Sequence, residues 1–321
     1  MNTAIDLAPA RTGGLRLRWP VIVAAGGAGF GAELLEAVGE ATPGAVVTCS
    51  VTRTADRGHP PPRMALRRDA LLHSVGYPNP GLEAVLRRQA PRWAGSPVPV
   101  IVSLCADSAE DIAAMAGTLE MQPDIAGLEL NLACPDRGRG GEPIGLDVEA
   151  SETATVAARA ATELPLIVKL SPLAPDIRAV ARAVAAAGAD AISAIGPLPA
   201  LALEDDRGRA LLGTAYGGLS GPALKPVGLR VTYEIAQVVK VPVIGIGGVS
   251  SLEDVLDYLA AGASAVGLAS AALGDPALPG ALGRALEHWC DEHGLGLRDL
   301  IGRALPRRRD RGSLRASRLR R

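Results

Sequence analysis

The feature that most constrains this chain is an alternation of short Val- and Ile-rich runs with longer amphipathic stretches. Eight such runs occur, at Trp19 to Ala25, Gly44 to Thr48, Val98 to Leu104, Gly127 to Leu132, Leu166 to Leu170, Asp190 to Ile195, Val241 to Ile246 and Ala265 to Ala269. Nearly all are apolar at consecutive positions, as parallel strands covered on both faces are. Between them the spacing predicts helices at Asp107 to Leu119, Val148 to Leu164, Pro175 to Ala187, Pro222 to Val239 and Leu252 to Ala261. Parallel neighbours need a crossover, and a helix after each strand supplies one, so the eight units close into a ring. The expected fold is α/β, a single (β/α)8 barrel with long strand-to-helix loops.

Length agrees with this, since 321 residues exceed the roughly 250 that such a barrel takes. The barrel is expected over residues 1–305. A basic, disordered tail is expected over 306–321, where arginines gather around Asp310 and Gly312. Three connections are long, Thr52 to Asn79, Cys134 to Asp147 and Gly196 to Ser220. All follow strands, on the side where this architecture builds its sites.

Composition narrows the class of partner. Aromatic residues make up 2% with a single Phe, so the core is aliphatic and stacking platforms for nucleic-acid bases are lacking. A net charge of -1 draws the chain neither to nucleic acid nor to an acidic membrane surface. Cys49, Cys105, Cys134 and Cys290 form no C-x-x-C pair, so no zinc or iron–sulfur site is expected. Met1 to Gly14 lack the apolar run of a secretory leader, and no stretch is apolar enough to span a bilayer. The expected compartment is the cytoplasm and the expected partner a small molecule.

Four motifs carry chemistry. Ile244-Gly245-Ile246-Gly247-Gly248 and Gly267-Leu268-Ala269-Ser270 end the last two strands, where glycine lets backbone N–H groups approach a phosphate. Glu129-Leu130-Asn131-Leu132-Ala133-Cys134-Pro135-Asp136 leaves the fourth strand. Its amide can read a flat polar ligand and its thiol can move a proton, although a single Cys is more often an inert apolar filler. Lys169 ends the apolar fifth strand, a costly position unless the ammonium meets an anion, an ion-pair partner or an electron-rich ring. Finally, Tyr216-Gly217-Gly218-Leu219-Ser220-Gly221-Pro222 is a glycine-dense turn entering a helix.

In order and spacing these motifs, together with Pro20-Val21-Ile22-Val23-Ala24-Ala25-Gly26-Gly27 at the first strand, resemble the class 1 dihydroorotate dehydrogenase family. The closest type is the one that works with a separate iron–sulfur flavoprotein subunit, and the resemblance runs from Trp19 to about Leu305. It implies an FMN-containing barrel that removes hydrogen across a ring C–C bond next to a carbonyl, hydride going to the flavin and the proton to a loop cysteine. Carried over, Cys134 matches that base and Lys169 the flavin lysine. Ala25, Gly26, Ser50, Gly217, Gly218, Ser220, Gly247, Gly248, Ala269 and Ser270 match the cofactor site. A homodimer and a separate electron acceptor or reductase subunit are the implied partners.

The substrate half departs from that pattern. Cys49 stands where the resemblance implies a lysine, His73 and Asp136 where it implies asparagines, and Gly196-Pro197 where it implies an Asn-Thr or Asn-Ser pair. Losing a cation and gaining an anion each change the affinity for anionic orotate by on the order of a few kcal/mol at contact distance. The expectation is therefore an FMN-dependent oxidoreductase working on a C–C or C=C bond beside a carbonyl of a small molecule other than orotate. In it Cys134 is the acid or base, Asn131 orients the substrate, Pro135 to Gly145 acts as a lid, and His73, Val75, Gly76 and Asp136 line the pocket. Two alternatives stand beside it, a genuine dihydroorotate dehydrogenase of pyrimidine biosynthesis and a non-catalytic flavin-binding or scaffold subunit.

Overall fold

Strands and helices are described here from a computed structural model, which covers residues 3–68, 70–133, 142–204 and 207–306. Among these residues the strands in chain order are β1 (Ile5–Asp6), β2 (Arg16–Leu17), β3 (Val21–Val23), β4 (Val46–Val47), β5 (Met64–Arg67), β6 (Ala70–His73), β7 (Val100–Leu104), β8 (Gly127–Asn131), β9 (Leu166–Leu170), β10 (Ala191–Ala194), β11 (Leu198–Leu201), β12 (Tyr216–Ser220), β13 (Val243–Ile246) and β14 (Ala265–Leu268). The eight apolar runs become β3, β4, β7, β8, β9, β10, β13 and β14. They pair in parallel in that order and β14 closes onto β3, so the barrel is the expected one.

Side chains on these strands divide by parity, because successive residues of a strand point to opposite faces. Ile22, Ala45, Val47, Ile101, Ile167, Ala191, Ile244, Ile246 and Ala265 form one buried cluster, the barrel interior. Leu7, Ala8, Leu15 and Leu17, on and beside the short antiparallel pair β1 and β2, belong to the same cluster and close one end. The alternate residues, among them Val100, Val102, Leu128, Leu130, Leu166 and Val168, pack outward with helix residues such as Ile112, Met115, Val180 and Val231. Burial of each such side chain contributes about 1.5–3 kcal/mol.

Helices begin where capping residues allow. Ser108, Asp147 and Asp176 accept the backbone N–H of Asp111, Ala150 and Ala179, starting helices Ala109–Glu120, Val148–Ala160 and Ile177–Ala186. Ser251 and Asp254 form a reciprocal capping box at Leu252–Ala260. The expected helix at Pro222 to Val239 divides into a 3-10 turn, Pro222–Leu224, and helix Lys225–Ala236.

Two of the long connections differ from simple loops. β5 and β6 come from the first and β11 and β12 from the third, and they assemble into an antiparallel sheet in the order β11-β12-β6-β5. In the central register Gly218 lies opposite His73 and Leu219 opposite Leu72. Segments far apart in the chain are thus brought together beside the strand-end loops. Among the described residues no helix is long and apolar enough to cross a membrane.

Candidate active site

The parity that fills the barrel with aliphatic residues changes character toward the C-terminal strand ends. Ser103, Glu129, Asn131, Lys169 and Ser193 share the interior parity of Ile101, Ile167 and Ala191, so they point into the barrel. Glu129 is 1% exposed and accepts hydrogen bonds from Ser103 Oγ at 3.1 Å and Ser193 Oγ at 2.9 Å. Ser103 Oγ also lies 2.9 Å from Ser50 Oγ, to which Asn131 Nδ2 donates at 2.9 Å. Asn131 Oδ1 accepts the Ala133 N–H at 3.1 Å. The amide expected to face a ligand is therefore held by a buried polar chain.

Lys169 is paired across the barrel wall with Asn131 and Ser193 and is 7% exposed. Among the described residues its ammonium makes no ion pair or hydrogen bond. An unpaired buried cation is costly, so the position is built for an anion or an electron-rich group supplied from outside the chain.

Cys49 and His73 share this region, since both feel the Lys169 charge. Burial pushes the Cys49 thiol up from its ordinary value, opposed by a hydrogen bond from the Gly26 backbone and by Lys169. Burial, reinforced by Lys169, holds His73 below its ordinary value, so the imidazole is neutral at pH 7. Its Nε2 lies 3.0 Å from Ser220 Oγ, across the pairing of β6 with β12. Val75 and Gly76 continue from His73, and Gly76, at φ 71°, packs against Gly58. His59 is engaged elsewhere, its Nδ1 2.8 Å from Ser74 Oγ.

The glycine loops make two close junctions. A Cβ on Gly27, the residue after Ala25-Gly26, would lie 3.0 Å from the Cα of Ala269, which joins the loops after β3 and β14. Gly247 and Gly248, at φ 130° and 69°, follow β13, and a Cβ on Gly248 would lie 2.7 Å from Lys225 N and 3.0 Å from the Gly221 carbonyl oxygen. Ser270 begins the short helix Ser270–Gly274. Gly217 and Gly218 lie beside His73, where a Cβ on Gly218 would come 3.3 Å from the imidazole Cε1.

Sequence reasoning gave no role to Gly221, which meets Gly248, or to Ser103 and Glu129, which continue the hydrogen-bond chain from Asn131 through Ser50; Ser193 holds only the other oxygen of Glu129. Glu129 carried the signal that picked out Lys169, a charge within an apolar strand. Cys134 and Asp136, with most of the expected lid, lie outside the described residues.

The family described as Dihydroorotate dehydrogenase matches residues 9–289. A protein of Desulforudis audaxviator named dihydroorotate dehydrogenase B (NAD(+)), catalytic subunit, is 40% identical over 95% of this chain and 98% of its own length. Proteins of the same name from Pelobacter propionicus and Shouchella clausii are 39% and 35% identical, each over 90% of this chain and 95% of their own.

Proposed function

We propose, from the premise that this chain belongs to the dihydroorotate dehydrogenase family, class 1, and is an oxidoreductase acting on CH–CH bonds, that it is a cytoplasmic, FMN-bearing catalytic subunit that oxidises dihydroorotate to orotate. The relatives' shared name favours this substrate over the non-orotate expectation. The observation that carries the cofactor is Lys169, a buried ammonium with no protein partner among the described residues, at the strand end that faces the glycine loops.

Residues present fit FMN in two respects. Lys169 offers the positive charge that an electron-rich, reducible ring requires, and Gly247 and Gly248 hold backbone conformations that suit close approach to a phosphate. Ala25, Gly26, Ser50, Ala269 and Ser270 complete the cofactor site, with Gly221. FMN when bound supplies the hydride acceptor. The chain's own residues do the rest. Asn131 orients the substrate through its amide, His73, Val75 and Gly76 line the pocket with Gly217 and Gly218 beside them, and Cys134 takes the proton from the substrate carbon. Asp136, which lies outside the described residues, is the remaining residue assigned to the substrate. The relatives' designation as a catalytic subunit supports a further subunit as electron acceptor.

Anaerobic mixing of the purified, FMN-loaded protein with dihydroorotate tests the reading, and rapid bleaching of the flavin is expected. A second reading keeps the chemistry and changes the substrate. It is favoured by Cys49 and His73, a protonated thiol and a neutral imidazole, at places where the family resemblance implies a lysine and an asparagine. Flavin that dithionite bleaches and dihydroorotate does not would select it. Protein that stays colourless with added FMN would point instead to a scaffold.

A further inference from the structure

The reaction above leaves Glu129 without a task, although it is a carboxylate 1% exposed inside the barrel. We propose that Glu129 is a positioning residue: by ending a directed chain of hydrogen bonds from Asn131 through Ser50 and Ser103, it acts with the Ala133 N–H to hold the Asn131 amide in the orientation that faces the substrate. The inference rests on the reading of Asn131 as the residue that orients the substrate.

Direction follows from counting hydrogens. Ser103 Oγ donates to Glu129 Oε1 at 3.1 Å, and a hydroxyl has one hydrogen. The 2.9 Å contact between Ser50 and Ser103 must then be Ser50 donating. With that hydrogen committed, Ser50 can only accept from Asn131, so Nδ2 faces Ser50 at 2.9 Å and Oδ1 faces the Ala133 N–H at 3.1 Å. Nδ2 keeps a second hydrogen with no partner among the described residues, available to a substrate carbonyl. Every link is set by the next, and the last is an acceptor-only carboxylate. Its other oxygen accepts from Ser193 at 2.9 Å, an arm that does not lead to Asn131. The site thus contains its own control.

A glutamine at 129 can donate as well as accept. In the presence of Ser193 its Nε2 has a partner on the far side, and its oxygen can still face Ser103. Without Ser193 the Nε2 turns to Ser103 and the chain reverses, so Ser50 donates toward Asn131 and opposes the amide setting that the Ala133 N–H imposes on Oδ1. The sequence has three asparagines, Asn2, Asn79 and Asn131, so selective 15N-Asn labelling of the FMN-loaded protein yields few side-chain amide pairs, and Asn131→Ala identifies the one that matters. Ser193→Ala should leave the Asn131 amide signals in place, whereas Glu129→Gln in the Ser193→Ala background, and Ser103→Ala alone, should shift them and speed their exchange with solvent.

In turnover Ser103→Ala should lower kcat/KM about tenfold, as loss of one orienting hydrogen bond does. Ser193→Ala should stay within about twofold, and Ser103→Thr should restore most of the loss. Asn131 signals in the double variant identical to those of Ser193→Ala, or equal effects of Ser103→Ala and Ser193→Ala, would overturn the proposal. Failure of the substrate reading is distinct. It is seen as wild-type flavin that dihydroorotate does not bleach, and the amide spectra still decide the chain.

Discussion

Tyr258 Oη donates a 2.7 Å hydrogen bond to the carbonyl oxygen of Gly247, so a fully buried phenol on helix Leu252–Ala260 pins the first glycine of the cradle after β13. Burial raises the Tyr258 hydroxyl above its ordinary value and keeps it a donor. Removing that oxygen and nothing else, Tyr258→Phe should cost about 1–3 kcal/mol by orphaning a buried carbonyl. FMN should dissociate faster. Thermal melts and flavin-release fluorescence check both effects.

Room for that ring comes from glycine. A Cβ on Gly245 would lie 2.2 Å from Tyr258 Cδ1, too close for any rotamer change to relieve inside a packed wall. Gly245→Ala should therefore destabilise by about 1–3 kcal/mol or more. Denaturant unfolding of the apoprotein is the measurement, and a midpoint unchanged from wild type would contradict the packing described.

Lys169→Met separates stability from function. It replaces a buried ammonium that has no partner among the described residues with an apolar chain of similar length, so apoprotein stability should hold or rise. FMN affinity and the potential of bound flavin should both fall, since the cation proposed to sit beside the ring is lost. Apoprotein melts and spectroelectrochemical titration read the two halves.

His73 predicts a pH dependence whose sign is determined. Its folded value lies below the ordinary 6.5. As pH falls through that value the unfolded chain takes a proton that the folded protein refuses, so stability drops on acidification from there toward the folded value and is flat above it. His73→Asn should remove this component between pH 7 and 5. Melting temperatures of the two proteins that fall in parallel over that range would refute it.

Cys134→Ala should slow substrate-driven flavin reduction by roughly two to four orders of magnitude while FMN stays bound, as loss of a general base does. Stopped-flow absorbance follows it. An unchanged rate would remove Cys134 from the proton transfer proposed for it.

Periodicity made the barrel legible. All eight Val- and Ile-rich runs became its strands because apolarity on both faces is a local property, readable within each run. Lys169 was legible for the same reason, a charge where the run demanded none. The sheet made by β5, β6, β11 and β12 was not, because its strands are short and pair segments far apart, as the 147-residue separation of His73 and Ser220 illustrates.

What the amino-acid order determined alone is the eight strands of the barrel, the positions of the glycine loops and the charge of Lys169 within an apolar run. Tertiary structure decided who partners whom. Glu129 finds Ser103 and Ser193 at separations of 26 and 64 residues, and Asn131 finds Ser50 at 81. Hydrogen bonding across a closed barrel joins strands by their place around the ring. Local patterns carry no record of that, which is why Lys169, without a partner among the described residues, and Glu129, with two, appear alike until the barrel closes.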